Sequence, residues 1–279
     1  MGKKIIGRKN KVDKENLAAV LERIREEVPL VHSITNYVSV NDCANILLAL
    51  GASPAMVETF SEAYDFARLA SAVYINLGTL TREQETAIMV AGIGARHKNI
   101  PLILDPVGCG AIPYKMKIIN NLFTTGKIDI IKGNAGEIKT LAGQAAMVKG
   151  MDSLEEGAGA EEAAKAVAKA YNCVVASTGK IDVITDGIKA VKINNGSAWF
   201  GKITGAGCMA GALCAAAAGV CKDYFLAAVT ALACMSIAGE AAAERADAPG
   251  SFRVALIDSI YRLDSQDILE RVKLDGLVG

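Results

Sequence analysis

In the stretch ITGAGCMAGALCAAAAG, Ile203 to Gly219, a single thiol, Cys208, stands directly behind a glycine turn. The alanine-rich run after it has the composition of a buried helix. The free backbone N–H groups and the dipole at such a helix start form an anion site. A cysteine placed there faces groups that favour its thiolate. The spacing is not G-x-G-x-x-G, because the third glycine falls at Gly211, and no G-x-x-x-x-G-K-[ST] occurs in the chain. The plainer alternative is that these glycines let a helix pack closely and that Cys208 is a small core hydrophobe. Cys214, Cys221 and Cys234, within the helical runs, read that way.

Two carboxylates follow apolar strand-like runs: Asp105 in LILDPVG and Glu137 in GNAGEI. Acids facing phosphates suit Mg²⁺, which keeps its waters and takes only one or two protein ligands. A turn acid or a helix N-cap is the competing reading for each. His32 and His97 lack metal-ligand spacing; His32 lies in a strand as a core histidine, and His97 in a charged, solvent-facing helix end. No G-x-S-x-G elbow supports a serine nucleophile.

These residues need a scaffold, and the chain alternates strands and helices to supply one. Lys14 to Val28 has an amphipathic period with Asp13 as N-cap, and Thr81 caps a later helix. LVHSITN, PAMV, AVYINLG, PLILD, DIIKGN and CVVASTG read as strands, and IDVITDGIKAVKINNG as a hairpin turning at Asp186-Gly187. From Ala206 to Leu274 the chain reads as almost entirely helical. The expectation is one α/β domain over residues 1–279. Its mostly parallel central sheet is covered by helices on both faces, with an antiparallel hairpin at one edge. Residues 1–13 form a basic tail, and the glycine-rich residues 145–160 a flexible surface excursion. Six strand ends or turns are polar: HSITN, NLGT, DPVG, KGNAGE, STGK and TGAGC. In open α/β sheets ligands bind beyond the carboxyl ends of the strands, so six together point to a shared site.

Composition narrows the partners. Lys plus Arg equals Asp plus Glu at 30 each, which gives no support to a nucleic-acid partner or a membrane surface. Two apolar segments, Gly205–Val220 and Phe225–Gly239, are interrupted by Lys222 and Asp223. They read as core helices of a soluble protein. The seven cysteines contain no C-x-x-C pair, and no secretory leader is visible, so reduced thiols and a cytoplasmic setting are expected.

Taken in order, VHSITNYV, ALGASPAMVE, NLGTL, LILDPVGCGA, IIKGNAGEI, STGKIDVITDG and ITGAGCMAGA resemble the hydroxyethylthiazole kinase family of the ribokinase-like superfamily. The resemblance runs from Pro29 to the C-terminal helices, and its seven motifs in register are specific where each alone is weak. It implies ATP- and Mg²⁺-dependent phosphorylation of the side-chain hydroxyl of 4-methyl-5-(2-hydroxyethyl)thiazole, a salvage step towards thiamine. It also implies a homotrimer with thiazole sites where subunits meet. On this resemblance Met56, Asn36 and Val38 line the thiazole pocket and Gly205 and Cys208 close it. Lys132 and Thr178 contact ATP, and Asp105 and Glu137 lie beside the metal-bound triphosphate.

Three positions depart from the pattern. Lys132 stands where arginine is usual, Cys109 where alanine is common, and Tyr37 where asparagine is frequent. Related sugar kinases carry aspartate at the position of Cys208, as base towards the substrate hydroxyl. The sequence leaves open whether Cys208 serves as base or packs against the substrate. Two other readings stay open beside this one: a kinase for another small alcohol, such as hydroxymethylpyrimidine, and a silent nucleotide-binding regulator.

Overall fold

The computed structural model describes residues 12–143 and 159–276. The expected basic tail through residue 11 and the excursion at 145–158 lie outside the described residues. Of the tail's last two residues, Val12 is buried in the core, and Asp13 caps the first helix by accepting from Asn16 N at 2.8 Å.

Among the described residues nine strands form one sheet: β1 (Leu30–Ile34), β2 (Ser53–Ala55), β3 (Ala72–Asn76), β4 (Leu102–Asp105), β5 (Ile130–Asn134), β6 (Val174–Thr178), β7 (Asp182–Thr185), β8 (Ala190–Ile193) and β9 (Leu274–Asp275). Their spatial order is β2-β1-β3-β4-β5-β6-β7-β8-β9. The first six run parallel, and β7, β8 and β9 are added antiparallel at one edge. The hairpin turns where the sequence places it. Gly187 takes φ +89°, open to glycine without strain, and Asp186 Oδ1 accepts from the backbone N–H of both Ile188 and Lys189 at 2.9 Å. The two-residue β9 was not expected, since two residues carry no period.

Helices α1 (Lys14–Glu27), α2 (Val40–Leu50), α8 (Ala206–Val220), α9 (Tyr224–Ala243), α10 (Pro249–Arg262) and α11 (Ser265–Arg271) cover one face of the sheet. Helices α3 (Phe60–Leu69), α4 (Arg82–Lys98), α5 (Pro113–Thr125), α6 (Ala135–Leu141) and α7 (Ala160–Tyr171) cover the other. Alternation along the strands divides the core accordingly. Tyr74, Ile103 and Ile130 point to the first face, and Val73, Ile75, Leu104 and Ile131 to the second. Helix α9 is long and apolar enough to cross a membrane, yet 89% of its most apolar window is buried inside the fold.

Candidate active site

Strand register sets the floor of the site. Asn76 on β3 is paired with Asp105 on β4, and one residue beyond the Leu104–Ile131 pair Asp105 adjoins Lys132 on β5. The period of two turns all three side chains towards the face that α8 covers. None is more than 3% exposed, so a row of polar groups lies beneath the helix, where apolar residues would otherwise pack.

Two glycines fit the helix to that floor. Gly205 adopts φ +81° with the Cβ of Ser39 only 3.0 Å from where its own would stand, so a side chain there is both strained and crowded. A side chain at Gly211 would lie 2.7 Å from the Tyr74 hydroxyl, so only glycine lets α8 rest on β3. Tyr74 then meets Cys208 O at 3.0 Å and Asp105 Oδ2 at 3.1 Å. Its one proton serves one acceptor at a time.

Cys208 is half-buried, while the other six cysteines are buried and all seven are free thiols. Its sulfur lies 3.3 Å from Asn36 Nδ2 and 3.3 Å from Asn76 Nδ2. Two amide N–H donors thus converge on one sulfur.

Asp105 is fully buried. Its Oδ2 lies 3.0 Å from Asn76 Nδ2 and 3.4 Å from Lys132 Nζ, whereas Oδ1 has no partner among the described residues. Burial pushes its pKa up to about 6, against the pull of the Lys132 ammonium and with a further push from Glu137. Burial draws Lys132 down, but Asp105 and Glu137 outweigh it and leave the ammonium above its ordinary value. Lys132 is thus firmly charged while Asp105 is only partly compensated. The buried carboxylate oxygen with no partner fits a cation or a phosphate-bound metal.

Glu137 links two loops. Its Oε2 accepts from Asn134 N at 2.8 Å in a capping box at the start of α6, and its Oε1 accepts from Gly108 N at 2.9 Å in the DPVG turn. Thr178 ends β6 beside Asn134 and donates to Gly133 O at 3.3 Å. The residue after it, Gly179, is held by Asp182, whose Oδ1 accepts its N–H at 3.0 Å while Oδ2 accepts from Ser236 at 3.2 Å.

Of the residues singled out from the sequence, Asn36, Asp105, Lys132, Gly205 and Cys208 are brought together. Lys132 is buried, with its Nζ 3.0 Å from where a Cβ on Gly207 would stand, beneath the glycine turn. Asn36 is also buried and gives its amide to Cys208 and Asn76. Glu137 and Thr178 flank the row on the β5–β6 side. Val38 is 51% exposed beside Ser39, and Met56 is half-buried just past β2, on the opposite flank. His32 is in the core: its Nε2 meets Val57 O at 2.7 Å, and its Nδ1 has no partner among the described residues. His97 is exposed near the end of α4, 2.9 Å from the Tyr64 hydroxyl. Sequence reasoning missed Asn76, Tyr74 and Asp182. Its only signal for them was the polar end of NLGT and the acid after STGK.

The sequence profile of the hydroxyethylthiazole kinase family matches residues 21–266. Hydroxyethylthiazole kinase 2 of Clostridium botulinum (strain Loch Maree / Type A3) is 54% identical over 252 residues, which are 90% of this chain and 96% of that protein. The solved structure of a hydroxyethylthiazole kinase protein from Pyrococcus horikoshii OT3 superposes with a TM-score of 0.85 at 38% identity, covering 93% of this chain and 98% of that one. Pyridoxal kinase from Staphylococcus aureus, at 17% identity and a TM-score of 0.56, covers 77% of this chain and 88% of its own, and shares the fold alone. A family match over most of the sequence, a relative more than half identical and a shared fold agree: the chain belongs to the hydroxyethylthiazole kinase family.

Proposed function

We propose that the protein phosphorylates the side-chain hydroxyl of 4-methyl-5-(2-hydroxyethyl)thiazole, with ATP as donor and Mg²⁺ as the metal, in the cytoplasm. The observation that carries the reading is the placing of Cys208. Its sulfur sits at the mouth of α8 between two amide donors, and the amide of Asn76 also reaches the buried Asp105. Phosphoryl transfer asks a protein chiefly for positioning and charge neutralisation. Cys208 takes the proton of the substrate hydroxyl as that oxygen gains its bond to the γ-phosphorus of ATP and the bond from that phosphorus to the bridging oxygen breaks, releasing ADP. The amides of the Gly205–Cys208 turn, with Lys132 beneath them, stabilise the charge that develops on the transferred group. Asp105, through its free Oδ1, and Glu137 would hold the metal, which when bound neutralises phosphate charge. Thr178 orients the nucleotide.

Met56, Val38 and Gly205 contact the thiazole in this reading. The outward-facing Tyr37, Val38 and Phe60, which are 71, 51 and 58% exposed, support closure of that flank by another subunit of a homotrimer. The testing experiment is a panel of small alcohols assayed with ATP and Mg²⁺, with the mass in solution measured alongside. Turnover of the thiazole alcohol that needs a divalent cation is expected. Efficient turnover of a pyrimidine alcohol with none of the thiazole would overturn the substrate, and no turnover with any alcohol would leave a nucleotide-binding regulator.

A further inference from the structure

The hydrogen bonds around Asn76 fix which way its amide points. Its Oδ1 lies 2.9 Å from Gly78 N, and a backbone N–H can only donate, so Oδ1 is the acceptor. Asn36 is fixed by the same logic, because its Oδ1 lies 3.1 Å from Ser39 N. Asn36 Nδ2 then donates to Asn76 Oδ1 at 2.8 Å. With both amides locked, Nδ2 of Asn76 must face the site. There it meets three acceptors: Cys208 Sγ at 3.3 Å, Asp105 Oδ2 at 3.0 Å and the Tyr74 oxygen at 3.0 Å.

We infer that Asn76 is a positioning residue that holds Cys208 and Asp105 at a set separation through one rigid amide. The inference rests on the reading of Cys208 as the proton acceptor and Asp105 as the metal-facing acid. The two groups come from distant parts of the chain, 132 and 29 residues from Asn76 respectively, and among the described residues no hydrogen bond joins them directly. One half of the amide is tied to the backbone of the NLG turn and to Asn36, and this half holds the side chain in place. The other half presents two N–H donors, shared among the Cys208 sulfur, the Asp105 carboxylate and the Tyr74 oxygen. Asn76 touches neither substrate nor nucleotide in this reading; it acts by fixing the groups that do.

The two halves separate by mutation. Asn76→Asp keeps an oxygen where Gly78 and Asn36 donate but puts a second carboxylate oxygen in place of the Nδ2 donor, beside Asp105 Oδ2, whereas Asn76→Ala removes both halves without adding charge. Thiol chemistry gives a readout independent of substrate, since Cys208 alone of the seven cysteines is not buried. The experiment is the rate of iodoacetamide alkylation at Cys208 at neutral pH, located by peptide mass, together with kcat and KM and the melting temperature. Loss of a donor to a charged group is expected to slow alkylation about fivefold or more in Asn76→Asp, and to lower kcat by roughly 10–100-fold with KM changed less than about threefold. Asn76→Ala, which adds no charge, carries the same expectation, and slowing confined to Asn76→Asp would assign the effect to the added carboxylate and overturn the positioning role. Alkylation at the wild-type rate in a folded variant, or a loss borne by KM with kcat intact, overturns the positioning role. An inactive wild-type protein whose Cys208 alkylation still depends on Asn76 would instead count against the proposed substrate alone.

Discussion

At the scale of single residues the question is what the sulfur of Cys208 does. If it accepts the substrate proton, Cys208→Ala loses roughly 10²–10⁴-fold in kcat, and Cys208→Asp keeps much of the rate because a carboxylate can do the same work. If the sulfur only packs against the thiazole, Cys208→Ala and Cys208→Ser both raise KM and spare kcat; steady-state kinetics on the three variants separates the cases. Asp105→Asn and Glu137→Gln are expected to cut turnover by about 10²–10³ with little change in thiazole KM if, as proposed, they act on transition-state charge. Burial lifts Asp105 to about 6 in the metal-free protein, and a cation on its carboxylate would lower it again, so the acid limb of kcat/KM is expected to move to higher pH as Mg²⁺ is reduced. A limb that does not respond to Mg²⁺ would remove Asp105 from the metal-holding groups. Cys208, Asp105 and Glu137 stood out in the sequence because a thiol behind a glycine turn and acids after apolar runs are conspicuous, whereas Lys132 entered only through the family resemblance. Asn76 and Tyr74 were not. An asparagine before Leu-Gly reads as turn chemistry, a tyrosine inside AVYIN reads as core, and their partners are remote in sequence.

At the scale of elements, a loop's position is held by what lies behind it. Asp182, buried at the start of β7, anchors Gly179 to Ser236 of α9, and so fixes the turn that carries Thr178. Burial pushes its pKa up to about 6, partly opposed by the Gly179 N–H, the Ser236 hydroxyl and Lys132. A folded value above the unfolded one means the native state holds this proton more tightly. The stability this adds is fully present below about pH 4 and is lost as pH rises through about 6. A rise of that size is worth about 3 kcal/mol at most. Asp182→Asn can still accept from Gly179 and can donate to Ser236, so it is expected to match wild type near pH 4 and to be more stable above about pH 7. Urea midpoints at both pH values check this; an equal offset at the two would show that charge at this site is not the cause. Helix starts and the hairpin were readable because caps and turns are local: Asp13, Thr81 with Gln84, and Gly187 act within a few residues. The 3₁₀ turn Ala198–Lys202 and β9 were not, since both depend on packing against the distant α9, α10 and β8.

At the scale of the whole molecule, the alternation of strands and helices made the parallel sheet legible and the hairpin made its antiparallel edge so. What the sequence could not show was how its helices divide between the two faces. One core is built from residues 34 to 175, and the other joins α1 and α2 to α8–α11 across the length of the chain. That division has a kinetic consequence. The first core closes through contacts between successive βα units, at small loop-closure cost, while the second must wait for the two ends to meet. Amides of β3–β6 and α3–α7 are therefore expected to gain protection earlier in refolding than those of α1 and α8, which pulse-labelled hydrogen exchange reads directly. Simultaneous protection of both faces would refute the order. The glycine turn and Cys208 lie on the late-closing side, so the buried carboxylate would be in place on its strand before the thiol arrives over it. A chain caught between these stages would have the floor of the site and no roof.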